Sequence, residues 1–219
     1  TTKEIKQIQI KVFDDKIDEV FIDYSNPVWS PVSNEIAFDM TNLDSSKLVV
    51  YDIDTKEIKL SMDVPKTYKI RWSSDGKFIG YEGIQITQLS DNEFSSISEL
   101  GFIDLKNQKK IISEQTNRFS WGLIGGINEN NNFMIYNSDS ANAPVNIYEY
   151  NVIANDKKLL STTMERSPRE CGATADEIFF IKTSENYSQD IWLLNIKTNS
   201  IKQITFDGKS KTDIKYFNK

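Results

Sequence analysis

Residues 70–83, IRWSSDGKFIGYEG, join two short apolar runs through a Ser-Ser-Asp-Gly turn, and Trp72 closes the first run. Each run is too short for a helix and is bounded by turn formers, so the stretch reads as a hairpin. Ser73 and Asp75 can hydrogen-bond nearby backbone groups, Gly76 supplies a positive φ, and the indole offers a large apolar anchor. Whether the turn carries chemistry or architecture depends on how often it recurs.

It occurs four times. NPVWSPVSNEIAFDM places Trp29 six residues before an apolar run, as Trp72 stands before FIGY; GGINENNNFMIYN places Ile127 so, and RECGATADEIFFI places Cys171 so. The anchors 29, 72, 127 and 171 are 43, 55 and 44 residues apart, which gives a unit of about 44 residues with one insertion in the third copy. Trp121 is an alternative anchor for that copy if six residues are inserted there.

Each copy has a second half of the form strand, polar turn, strand: KLVVYDIDTKEIKL, ELGFIDLKNQKKII, VNIYEYNVIANDKKLL and DIWLLNIKTNSIKQIT. In every one an apolar run leads to Asp or Asn (Asp52, Asp104, Asn151, Asn195), then to turn-forming residues and a short strand. Four antiparallel strands in 40 to 45 residues, repeated, predict an all-β β-propeller of four-stranded blades. The expected units are 25–63, 64–114, 115–163 and 164–206.

With VWSPVSNEIAF and RWSSDGKFIGY as its best copies, the chain resembles the TolB-like family of propeller repeats, whose blades carry a Trp-Ser-Pro-Asp-Gly-Lys hairpin. The resemblance spans nearly the whole chain and weakens in the third and fourth copies, where Ile127 or Trp121 and Cys171 stand for the tryptophan. It implies a bacterial envelope or extracellular setting. IKVFDDKIDEVFI aligns with LVVYDIDTKEIKL, so residues 1–24 read as the second half of a blade, and TDIKYFNK within 207–219 as an inner strand. Together they would close a fifth blade from both chain ends; the alternative is a fragment of a larger propeller. A start without Met is what a processed chain shows, which leaves room for a signal or anchor removed upstream.

Composition narrows the chemistry. Among 219 residues, 26 Lys and Arg face 32 Asp and Glu, a formal charge of −6, and the basic residues are dispersed, so nucleic acid is not expected as a partner. No apolar run approaches the roughly 18 residues needed to span a bilayer. Histidine is absent, which removes Ser-His-Asp and Cys-His catalysis and His-ligated zinc. Cys171 is the single cysteine, so no internal disulfide forms, and its place in the repeat suits a buried thiol.

The remaining motifs read as structure. SSDGKF lacks the residue that a sialidase-type Asp-box has between Asp and Gly. Asp52 and Asp54 stand two apart as in a calcium loop, without that loop's further oxygen ligands or its Gly. GLIGG has neither the Lys nor the spacing of a phosphate loop, and no Gly-x-Ser-x-Gly elbow occurs. For a five-bladed glycosidase-like ring, acids must converge from inner strands; beside the anchors stand Val28, Arg71, Gly126 and Glu170, so Glu170 is the one carboxylate, and Arg71 its natural ion-pair partner.

No catalytic residue, metal site or cofactor is expected. The loops between second and third strands, 39–47, 82–96, 137–146 and 182–190, fall on one face of the ring and are polar and acidic, with Asp91 among them and Phe94 and Tyr187 as aromatic contacts. The expectation is a monomeric, non-catalytic scaffold for protein partners, with Phe94, Tyr187, Arg71, Glu170 and Asp91 as candidate binding residues. A five-bladed glycosidase-like enzyme, or the gating propeller of a peptidase whose hydrolase domain lies elsewhere, is the alternative.

Overall fold

The structure is a computed structural model that describes residues 23–41, 46–90, 93–116, 121–126, 132–137, 144–163, 171–173, 177–183, 189–207 and 209. Among the described residues sixteen strands make four four-stranded antiparallel sheets, each a meander in chain order. The first sheet holds β1 (Asp23–Trp29), β2 (Glu35–Thr41), β3 (Ser46–Asp52) and β4 (Glu57–Asp63). The second holds β5 (Lys66–Trp72), β6 (Phe78–Ser90), β7 (Glu93–Asp104) and β8 (Lys109–Thr116). The third holds β9 (Trp121–Gly126), β10 (Asn132–Asn137), β11 (Val145–Asn151) and β12 (Asp156–Thr163). The fourth holds β13 (Cys171–Ala173), β14 (Glu177–Thr183), β15 (Gln189–Asn195) and β16 (Ser200–Gln203).

The first strands of successive sheets lie side by side, β1 by β5, β5 by β9 and β9 by β13, so the sheets are blades arranged around an axis lined by their inner strands. This is the all-β propeller expected from the repeat. The closing blade expected from residues 1–24 and 207–219 falls almost wholly outside the described residues. No helix among the described residues is long and apolar enough to cross a membrane.

Apolar faces hold the blades together. Ala37, Leu48, Val50 and Leu60 of the first blade meet Ile70, Trp72, Ile79, Tyr81 and Ile103 of the second. The second and third meet through Phe78, Leu100, Phe102, Leu123, Phe133, Ile135 and Tyr150, with Phe102 4.8 Å from both the Phe133 and Tyr150 rings. Ile124, Met134, Tyr136 and Ile147 join Ile178, Phe180 and Leu194 between the third and fourth. Each fully buried side chain of this kind contributes roughly 2 kcal/mol, against about 1 kcal/mol for a hydrogen bond, so apolar packing dominates the association of blades. A blade packed on both faces has no solvent side, which is why Phe78–Gly83 is buried without a break although it lies in a strand.

The turn at residues 73–76 is architectural. The Phe78 amide donates to Ser73 Oγ (3.0 Å), Gly76 N to Ser73 O (3.0 Å), and Ser73 Oγ and the Lys77 amide both donate to Asp75 Oδ1 (2.7 and 3.1 Å). Gly76 has φ 69°, and a Cβ there would run into Val32 of the preceding blade's turn. Trp72 is buried and donates its indole N–H to Val28 O (2.9 Å), wedging the second blade against the first. Trp29 is 57% exposed at the edge of the described residues, among which no blade precedes the first. Nor is Trp121 the anchor of the third copy. It pairs with Asn137 at the far end of β9 from the β9–β10 turn, and packs instead on Tyr148 with the Lys157 ammonium 4.3 Å from its ring centroid.

The Asp or Asn that closes each third strand organises the outer hairpin. Asp52, Asp104, Asn151 and Asn195 each accept the backbone amide three residues on, and the residue four on (Lys56, Gln108, Asn155, Asn199) has a positive φ. Asp54 is held by Asn34 Nδ2 at 2.7 Å, and no group of three or more potential metal ligands occurs among the described residues.

Gly101 opposes Tyr81 across β6 and β7, and a Cβ there would penetrate the Tyr81 ring, whose hydroxyl is fixed by Glu99. Gly101→Ala is expected to destabilise the fold by roughly 1–3 kcal/mol in chemical denaturation, since the fully buried ring has nowhere to move.

Candidate functional site

Two inner strands carry an irregularity beside which the preceding blade makes contact. The pairing of β5 with β6 shifts between Thr67 and Lys69, and that of β9 with β10 skips Ile124, next to the amides of Thr67 and Leu123. Carboxylates of the preceding blade meet these amides. Asp39 Oδ2 accepts the Thr67 amide (3.0 Å), and Glu82 Oε1 accepts the Leu123 amide. Asp39 and Glu82 stand 43 residues apart, at the same place in two copies of the repeat, directly after Phe38 and Tyr81. Both are buried, and Asp39 also accepts the Ser46 hydroxyl (2.5 Å) and the Thr41 hydroxyl (3.2 Å).

Sequence reasoning took Asp39 and Glu82 as the first residues of exposed loops. Their shared offset was the signal that marked them as part of the repeat. Glu99, also buried, accepts from Tyr81 Oη (2.5 Å) and Gln115 Nε2 (2.7 Å) and lies 3.1 Å from Lys110 Nζ. Burial, then the adjacent Glu99 carboxylate, pushes the Tyr81 phenol up from its ordinary value. These three carboxylates therefore serve strands and blades.

Arg71 lies on β5 opposite Gly80, half-buried, with Nη1 donating to Ile70 O (2.9 Å). The buried Glu82 has Lys69 Nζ at 3.7 Å and a hydrogen bond with Tyr68, and feels the Arg71 charge only weakly. Burial raises the Glu82 carboxyl above its ordinary value, and Lys69, the Leu123 amide, Tyr68 and Arg71 oppose that rise. Glu170, the partner expected for Arg71, lies outside the described residues, as do Asp91 and Tyr187.

Phe94 lies on a different structure. Residues 82–90 and 93–96, expected as parts of a long loop, are strands: β6 and β7 stay paired from Phe78 with Asp104 out to Ser90 with Glu93. The β5 partner ends at Lys66, opposite Ile84, and the β8 partner at Thr116, opposite Ser98. Beyond those points a two-stranded arm projects from the blade. At its base Pro65 lies against Gly83, where a Cβ would be 3.0 Å from the Pro65 ring, and Pro65 has no amide to continue the ladder. The alternation in IQITQL was the sequence signal for the added strand. On the arm Ile86, Leu89 and Phe94 are 63%, 59% and 62% exposed.

Gln88 faces Phe94 and Gly80 faces Arg71, so eight residues of β6, roughly 26 Å of strand, separate them. Arg71 and Phe94 thus belong to opposite ends of the blade.

No family model matches the chain, and no curated protein matches it. Among solved structures it is similar to TolB from Acinetobacter baumannii, with a TM-score of 0.60 and 15% identity over 84% of this chain and 44% of that one. It is similar also to the β-propeller domain of the Trilobed protease from Pyrococcus furiosus, described as having an open velcro topology (TM-score 0.57, 14% identity, 84% of this chain and 58% of that one). A third is the acylaminoacyl peptidase of Pyrococcus horikoshii (TM-score 0.59, 15% identity, 83% of this chain and 32% of that one). At these identities the likeness is one of fold, and the chain spans between a third and three fifths of their lengths.

Two measurements address the latches. Asp39→Ala, which leaves the Thr67 amide without its acceptor, is expected to cost roughly 2–3 kcal/mol and Asp39→Asn clearly less, read by urea unfolding. Glu82 binds its proton more tightly folded than unfolded, so its contribution to stability is complete below pH 4.5 and is lost as pH rises through the raised folded value. The Tm of Glu82→Gln relative to the unaltered chain is therefore expected to climb as pH rises from 4.5 and to level off above the raised folded value.

Proposed function

We propose that the chain is a non-catalytic propeller that scaffolds protein–protein contacts in a bacterial envelope or extracellular setting, docking through the β6–β7 arm. The observation that carries this reading is the arm itself: a paired two-stranded projection that displays Ile86, Leu89 and Phe94 to solvent. An aromatic ring and two aliphatic side chains held on a fixed backbone lose little conformational entropy when they bind. The setting rests on the TolB-like repeat and on the fold shared with TolB.

A second reading, the gating propeller of a peptidase, is favoured by the likeness to peptidase propellers, and it places the hydrolase in chain beyond these residues. Immobilised chain and an Ile86→Ala, Phe94→Ala variant, exposed to the envelope fraction of the source cell, separate the cases by quantitative mass spectrometry. The scaffold reading expects capture to fall at least tenfold in the variant with Tm unchanged; equal capture by both removes the arm from it.

A further inference from the structure

We infer that the occupant of the arm is a second copy of this chain, joined by antiparallel pairing of the free edges of β6 about Thr87. The inference rests on the reading of the arm as the interaction surface and names what docks there.

The outer strands of the blades are protected against edge pairing by charge. β4 carries Glu57, Lys59 and Asp63; β8 carries Lys109, Lys110 and Glu114; β12 carries Asp156, Lys157 and Lys158; β16 carries Lys202. The β6 extension has no such protection. Residues 84–90, IQITQLS, contain no charge and no proline, alternate β-branched or aliphatic residues with polar ones, and beyond Ile84 have no strand on that side among the described residues.

The edge is self-complementary. A two-fold axis at Thr87 sets Thr87 opposite Thr87, Ile86 opposite Gln88 and Gln85 opposite Leu89 of the second copy. Directly opposed residues share a face, and Ile86 and Gln88 already share theirs with Phe94, which pairs with Gln88. The joined arms form a four-stranded sheet in which Ile86 of each copy lies between its own Ser96 and Gln88 of the other, with that copy's Phe94 next in the same row, while the central Thr–Thr pair suits a cross-strand hydrogen bond. The incoming strand takes the line of β5 where Pro65 ends it, which brings its Ser90 end, and with it Glu93, towards Lys66. A chain of net charge −6 thus meets itself through an uncharged strip with one acid-to-base contact at each end. Five residues a side make a small contact, so the dimer is concentration-dependent, in place of the monomer expected from the sequence.

Sedimentation velocity of the intact chain from low micromolar to millimolar concentration tests this. The weight-average mass is expected to rise towards twice that of one chain, and Thr87→Lys, which opposes two ammonium groups on the axis, is expected to abolish the rise with Tm unchanged. Thr87→Cys is expected to form an interchain disulfide under mild oxidation while Gln85→Cys, which faces Leu89, does not; the unaltered chain, with Cys171 alone, sets the background. A mass that stays at one chain throughout, or equal crosslinking of Thr87→Cys and Gln85→Cys, overturns self-pairing. Single-chain mass together with Phe94-dependent capture of another protein sinks this inference and leaves the scaffold reading standing. Self-pairing with no captured protein upholds the inference and sinks the heterologous one.

Discussion

A sheet with two apolar faces and no helices must find cover for both, and everything else in this chain follows from that demand. Each blade covers its neighbour, so Leu48 and Val50 of one blade and Ile79 and Ile103 of the next leave water together. The requirement explains the length of the repeat, the run of buried residues through β6, and the tight contacts at Gly101 and Gly76, where a side chain on the other blade or strand occupies the space of a Cβ.

Packing alone is non-directional and would let blades slide. The carboxylates of Asp39 and Glu82 supply direction, because each reaches across the boundary to an inner-strand amide of the next blade. Removing the acid would leave a buried donor without a partner, a larger loss than the bond is worth on its own. Arg71 and Lys69 are drawn into the same arrangement as the charges that oppose the cost of burying Glu82.

The arm departs from the rule that binds the rest. Where β6 and β7 outrun β5 and β8, a strand edge and its apolar side chains stand in water, and the outer strands of the blades show by their charges how such edges are ordinarily guarded. An unguarded edge on a two-stranded projection is the feature on which recognition can be built.

The sequence by itself determined the repeat and hence the fold, because turn chemistry is local: Ser73, Asp75 and Gly76 in one hairpin, and Asp52, Asp104, Asn151 and Asn195 in the others, write their geometry into spacing. It also marked Trp72 as a wedge, since a buried anchor next to a turn needs only its own hairpin to be recognised. Trp29, identical in motif, is exposed among the described residues, because burial depends on what stands on the far side. Tertiary structure alone decided which carboxylate meets which amide, that Lys69 stands beside the buried Glu82, and that residues 82–90 and 93–96 continue two strands instead of looping. Those outcomes turn on contacts between residues tens of positions apart and on where a partner strand stops, and neither is carried by local propensity.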